Sequence, residues 1–471
     1  MDVFGIEDVP QLLEGDELEQ THESFQQQVK DIVQNPSRYD NPEALKAGFE
    51  MEYTLLDGSN GQASEQERDR IKERAPETLD SELAASVIEA RTDPVVPESL
   101  GDLEKEMREK EALTADFAAE EGFDLLRYGT NPFPTVEEFE RSGGEGSRYD
   151  VFASFLDENR NDDMVTSSFG EKESFDPRDI HYSGMIASTQ TNLQAGGLQD
   201  AVDKANLAYM FMPYAEAIGG NARIIEQKDT GVSDMRIPLW RASADFRSDE
   251  EFENDEEPRA GRIDSYYGKE EGDDIEDYFE RLDPIYVAPD VDEAPDAVDQ
   301  AIMNNWKDVN IKFDRERGNA VVEMRPFSIQ PSIREDLALS AFMMGRIAYA
   351  QENGEELTDI EKVNENREKA MYNGLDTELY GSSGELADAT DVLENELDYA
   401  REGLDSLSVD YENFIEDEGD IFDVTFGTRL KYGKTPGDRS AEAYNQKRRE
   451  MADREALSEV MKDYRVRGET A

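Results

Sequence analysis

The chain has 471 residues and a formal net charge of -63, from 112 Asp and Glu against 49 Lys and Arg. Such acidity repels nucleic acid and anionic membranes, which argues against phosphate-backbone binding as a main role. The absence of Cys excludes disulfides, thiol nucleophiles and thiolate metal sites, and the two His, His22 and His181, are too few for most His-based hydrolases and zinc centres.

Residues 1–40 read as a helical preface, with Leu12, Leu13, Leu18, Phe25, Val29 and Val33 at helical intervals. Residues 48–57 read as a strand with one polar face, Phe49, Met51, Tyr53 and Leu55 alternating with Glu50, Glu52 and Thr54. Residues 92–97 form a loop or strand end, and 103–122 a charged helix that stops at Gly122. A strand is expected over 186–194 and a helix over 200–218, closed by Gly219-Gly220. The runs 248–258 and 270–283, dense in Asp and Glu, read as a solvated insertion within 248–300. Two strands at 307–313 and 320–325 flank a polar turn around Gly318, and Ser332 with Glu335 opens a helix to about 351 as a capping box. The domain plan is thus a preface at 1–40, a catalytic domain at 41–354, and a helical acidic region at 355–471. That last region either covers the sheet or joins copies in a homo-oligomer.

Hydrophobic residues make up 37% of the chain, with 21 Phe and 19 Tyr, which suits a packed core better than an acidic disordered tail. The reading adopted is a globular protein with a carboxylate-rich surface that works in high salt, where the Debye length is about 3 Å at 1 M. Secondary structure should then be lost below about molar salt, as screening of the repulsion disappears. Circular dichroism and melting temperature that stay unchanged in dilute buffer would contradict this. The N-terminus has no basic region followed by an apolar core, so no signal peptide is expected, and no run approaches ~20 uncharged apolar residues. A cytoplasmic protein is the expectation.

Several segments carry chemistry. Glu50 and Glu52 sit two apart on one strand, so both face one side about 6–7 Å apart, a spacing suited to magnesium. Gln190 and Asn192 alternate in the same way, and amide oxygens can meet magnesium or pair with carboxylates. Glu323 and Arg325 share a third strand face. Residues 221–247 hold Arg223, Lys228, Arg236, Arg241 and Arg247, a local excess of positive charge in a very acidic chain that points to an anion ligand. Gly129-Thr-Asn-Pro-Phe133 reads as a rigid turn.

Together these segments, with Ile88-Glu-Ala-Arg-Thr92 and Asp229-Thr-Gly-Val-Ser-Asp-Met-Arg236, resemble glutamate–cysteine ligase family 2 and its plant-type relatives. The resemblance spans about residues 45–350. It implies an α+β, glutamine-synthetase-like fold: a curved, mainly antiparallel sheet with helices outside and a site on the concave face. It implies an ATP- and magnesium-dependent carboxylate–amine ligase that works through an acyl phosphate on glutamate, with an amine such as that of cysteine as acceptor. By the same resemblance Glu50, Glu52, Glu89 and Glu323 bind metal, while Arg236 and Arg325 are catalytic. Thr130, Asn131, Gln190, Asn192 and Arg236 contact substrate or nucleotide by the same resemblance, while local positive charge alone adds Arg241 as an expected anion contact. The chain departs from the family in two places: Asn131 stands where the family turn has His, and Ser233 falls one position early. Two other readings stay open, a ligase-fold protein that binds nucleotide or amino acid without turnover, and an acidic scaffold.

Overall fold

Alternation over Phe49 to Leu55 lies at the heart of the long central strand, β1 (Ala47–Leu56). Phe49, Met51, Tyr53 and Leu55 are buried on one side, and Glu50 and Glu52 point to the other. The computed structural model describes residues 13–41, 46–143, 149–151, 153–154, 167–170, 172–175, 181–243, 265–268, 274–282, 284–286, 296–305, 307–411 and 419–468. Leu12, Arg247 and most of 248–300 lie outside the described residues.

After β1 come β2 (Leu79–Ser81), β3 (Val87–Arg91), β4 (Asp124–Leu126), and a hairpin of β5 (Ser167–Phe169) and β6 (Lys172–Phe175). Next are β7 (Thr189–Gln194), the hairpin β8 (Ile224–Ile225) with β9 (Lys228–Asp229), β10 (Val309–Asp314) and β11 (Asn319–Met324). The hairpin β12 (Glu378–Tyr380) with β13 (Leu386–Asp388), and finally β14 (Arg465–Val466), complete the strands. Eight of them form one sheet in the order β10-β11-β7-β1-β3-β2, with β4 joining β1 to β14. Every pairing in it is antiparallel. The fold is α+β.

Helices cover the apolar side of this sheet. Helix Leu198–Gly219 is apolar on nearly all sides and buried along its length, as expected of a central helix. Its Tyr209 hydroxyl donates to the Val309 carbonyl at 3.2 Å. Helix Ile333–Asn353 starts where Ser332 accepts from the Glu335 amide, and it meets β7 through Thr191 and Ser340, whose hydroxyls are 2.7 Å apart. Each Leu, Ile or Phe fully buried between these layers contributes about 1.5–3 kcal/mol. Helix Ala389–Ser406 crosses Ile333–Asn353 at Gly345 and Gly403. A Cβ on Gly403 would lie 1.8 Å from the Gly345 carbonyl oxygen, so the crossing requires glycine.

Two expectations need correction. The stretch 270–283 is not a solvated insertion over its described part. Helix Asp274–Glu280 and the residues after it bury Ile275, Tyr278, Phe279 and Leu282. These recur at i, i+3, i+4 and i+7, so the acidic residues between them take only the outer face. The C-terminal region is helical over Ile360–Asn373, Ala389–Ser406, Ile421–Tyr432, Pro436–Lys447 and Asp453–Met461. It also returns a strand to the sheet, with Arg465 opposite Leu126. Two residues carry no readable periodicity, so that strand was invisible in the sequence. Among the described residues no helix is long and apolar enough to cross a membrane.

Candidate active site

The polar sides of the strands meet across the sheet because residues directly opposite in antiparallel pairs share a face. Glu52 is opposite Glu89, and Glu50 is opposite both Arg91 and Gln190. Asn192 is opposite Glu323, which in turn faces Asn310. These side chains line the concave side of the sheet, in a cavity of about 860 Å³ that Arg236, Trp240, Lys312 and Arg325 also line.

Two carboxylate clusters divide this cavity. In the first, Glu52, Glu82 and Glu89 bring oxygens within 4.8 Å of one another. Glu52 is held by the Ser188 amide at 2.6 Å and the Gln190 side-chain amide at 3.0 Å. Burial, then the nearby Glu50, Glu82 and Glu52 carboxylates, push the Glu89 carboxyl well above the ordinary range. Three hard oxygen donors crowded at that cost suit a divalent cation such as magnesium, which would relieve the repulsion.

In the second cluster, Lys312 bridges Glu50, at 3.4 Å, and Glu323. Asn192 donates to Glu50 at 3.1 Å, and Arg325 Nε lies 3.8 Å from Glu323. Burial alone would raise Glu323, but Lys312 and Arg325 outweigh it and hold the carboxyl below its usual value.

Arg236 stands opposite in character. Its helix, Arg236–Ser243, begins where the Arg236 amide donates to Asp234 at 3.0 Å, and Asp234 accepts from Ser328 at 2.6 Å. The arginine is only 8% exposed, and its Nε is buried with no hydrogen-bond partner among the described residues. Burial lowers its pKa, with Glu52 and Asp234 pulling the other way. A buried guanidinium whose Nε has no partner and that lines a cavity is suited to an incoming carboxylate or phosphate.

The expected site residues thus separate. Glu50, Glu52, Glu89, Gln190, Asn192, Arg236, Glu323 and Arg325 all line the cavity. Thr130, Asn131 and Arg241 do not. Thr130 donates to the Ile224 carbonyl at 2.7 Å, and Asn131 donates to Gln62 at 3.2 Å. Their turn is packed so closely that a Cβ on Gly129 would lie 2.5 Å from Ser328 Oγ. The turn supports the chain at 183–186 through the Asn131 amide, which donates to the Met185 carbonyl at 2.6 Å. Arg241 pairs with Glu368, and Arg223 with Asp229 and Asp438. The positive strip is mostly neutralised locally, and of its described arginines only Arg236 lines the cavity. Ser233, early against the family pattern, shares a buried hydrogen bond with Thr435 at 3.2 Å.

Two charged residues of the carboxylate clusters, Glu82 and Lys312, were not among the expected site residues. Glu82 directly follows β2, outside any regular strand, where no alternation gives side-chain direction. Lys312 was legible by parity, since it shares a strand face with Asn310, but its reach to Glu50 depends on strand order.

The model of glutamate–cysteine ligase family 2 matches residues 46–423. No curated protein matches the chain. Among solved structures the chain is similar to a glutamate–cysteine ligase (gshA) from Francisella tularensis in complex with AMP. The two share 12% identity over 90% of this chain and 89% of that one, with a TM-score of 0.57. It is also similar to a bifunctional glutathione synthetase from Pasteurella multocida, at 12% identity over 93% of this chain and 54% of that one, with a TM-score of 0.49. The likeness to the Francisella enzyme shows a shared fold, the glutamine-synthetase-like curved sheet. With most of its length matched by the family model, the chain belongs to glutamate–cysteine ligase family 2, a family of ATP-dependent carboxylate–amine ligases.

Proposed function

We propose that the protein joins the γ-carboxylate of glutamate to an amine, with ATP as the energy source. The observation that carries this reading is the pairing, in one cavity, of a crowded carboxylate triad with a buried arginine that has no partner at Nε. Glu52, Glu82 and Glu89 would hold magnesium, which supplies charge neutralisation for the ATP phosphates. Arg236 holds the substrate carboxylate through its planar fork. Arg325, fixed beside Glu323, meets the charge on the transferred phosphoryl group. The substrate carboxylate attacks the terminal phosphate of ATP, giving an acyl phosphate and ADP. The amine nitrogen then displaces phosphate from the acyl carbon, loses a proton, and leaves the amide. Gln190 and Asn192 orient Glu52 and Glu50 rather than touch the substrate. The net charge of -63 supports a salt-rich cytoplasm as the working medium.

ADP release in multimolar KCl, with glutamate and a panel of amines that includes cysteine, tests this. ADP should appear only when ATP, magnesium, glutamate and one of the amines are all present. Nucleotide binding without ADP under every combination would favour the non-catalytic reading.

A further inference from the structure

We propose that Lys312 is a resident cation that occupies the place of a second divalent ion, so that the protein itself holds one divalent ion in the cavity and not two. The inference rests on the metal-binding reading of Glu52, Glu82 and Glu89 given above. It starts from a contrast between the two carboxylate clusters. In the triad, Arg91 Nε lies 3.8 Å from Glu89. The pair Glu50 and Glu323 is already compensated: Lys312 Nζ reaches both, at 3.4 Å to Glu50 and closer to Glu323.

The geometry follows from strand order. Glu50 lies on β1 and Glu323 on β11, with β7 between them. Asn192 on that middle strand donates to Glu50, and Asn310 on β10 donates to Glu323 at 3.4 Å. Lys312 rises from the edge strand β10, passes Glu323, and ends over the gap between the two carboxylates. A divalent ion placed in that gap would sit against the ammonium, and like charges at such a separation repel strongly in a partly desolvated site. The ammonium supplies one unit of charge and three donors on a flexible stem, without coordination geometry. Its side chain remains 40% exposed toward the cavity, so donors are left for an anion. Lys312 thus sets the cation stoichiometry of the site and offers a hydrogen-bonding charge to the phosphate being transferred.

Manganese titration of the full chain in molar KCl, without nucleotide, tests this by electron paramagnetic resonance. Two ions a few ångströms apart give a spin-coupled spectrum that scattered surface ions do not. The parent and Lys312→Arg should bind one ordered Mn²⁺ with no spin-coupled signal. Lys312→Met should bind two and show the coupled signal, and Lys312→Gln serves as a second neutral variant if Met impairs folding. A coupled signal in the parent overturns the proposal, and so does a single ion in folded neutral variants. Absence of any ordered ion from parent and variants alike overturns the metal reading itself, and this inference with it.

Discussion

Glu89→Gln should inactivate the enzyme while raising its melting temperature in magnesium-free buffer at neutral pH. The activity loss follows from removing one charge from the triad of Glu52, Glu82 and Glu89. Electrostatic stabilisation at a metal site is worth several kcal/mol, so turnover should fall by about two to three orders of magnitude. The stability gain comes from the same crowding. Burial and three nearby carboxylates raise the Glu89 pKa above the value of 4.5 expected in the unfolded chain. Ionisation of Glu89 therefore opposes folding. The penalty is absent below about pH 4.5, grows as pH rises above it, and is complete above the folded-state pKa. The melting advantage of the variant should thus shrink as pH falls toward 4.5. Added magnesium should stabilise the parent and not the variant, because only the parent retains the full ligand set. Thermal melts across pH, with and without magnesium, check each part. A variant that melts below the parent at every pH would mean that Glu89 is a stabilising ion-pair partner of Arg91.

Arg236→Met should weaken binding of the acid substrate by about two to three orders of magnitude, the scale of losing one side of a desolvated charge pair. The melting temperature should hold, because Nε of this arginine makes no hydrogen bond and its burial disfavours its charge. Arg236→Lys should rescue little, since an ammonium cannot reproduce two parallel N–H donors. The contrast with Arg325→Lys is diagnostic. Arg325 is anchored beside Glu323, and the carboxylates around it offset the cost of its burial. Its replacement should depress kcat and leave KM for glutamate nearly unchanged, as expected of a donor that acts on the transferred phosphate. Steady-state kinetics on the three variants decides the assignment. A near-parental KM in Arg236→Met would remove this residue from the acid site.

How far the site was legible depended on where each residue sits. Glu50, Glu52, Gln190, Asn192, Glu323 and Arg325 lie on regular strands, where parity alone gives side-chain direction, and all line the cavity. Glu89 and Arg236 were carried by family motifs and also reach it. Thr130 and Asn131 do not line the cavity, and their sequence could not show this, because a Gly–Pro-bounded turn looks the same whether it faces a cavity or packs against Ser328. Arg241 pairs with Glu368 and does not line the cavity, a pairing that local charge counting cannot see because Glu368 lies more than a hundred residues away.

By itself the sequence determined the periodicities: the central strand, expected at 48–57, the β10–β11 hairpin, the helix opened by Ser332, and a polar face on each strand of the site. Those are short-range properties, set by alternation, capping and turn chemistry within a few residues. Only the tertiary structure decided which carboxylates share a cation site. It grouped Glu52 with Glu82 and Glu89, and it turned Glu50 toward Glu323 and Lys312. That division follows from strand order and register, which are fixed by packing the apolar face of the whole sheet against its helices, and no local stretch of chain contains it.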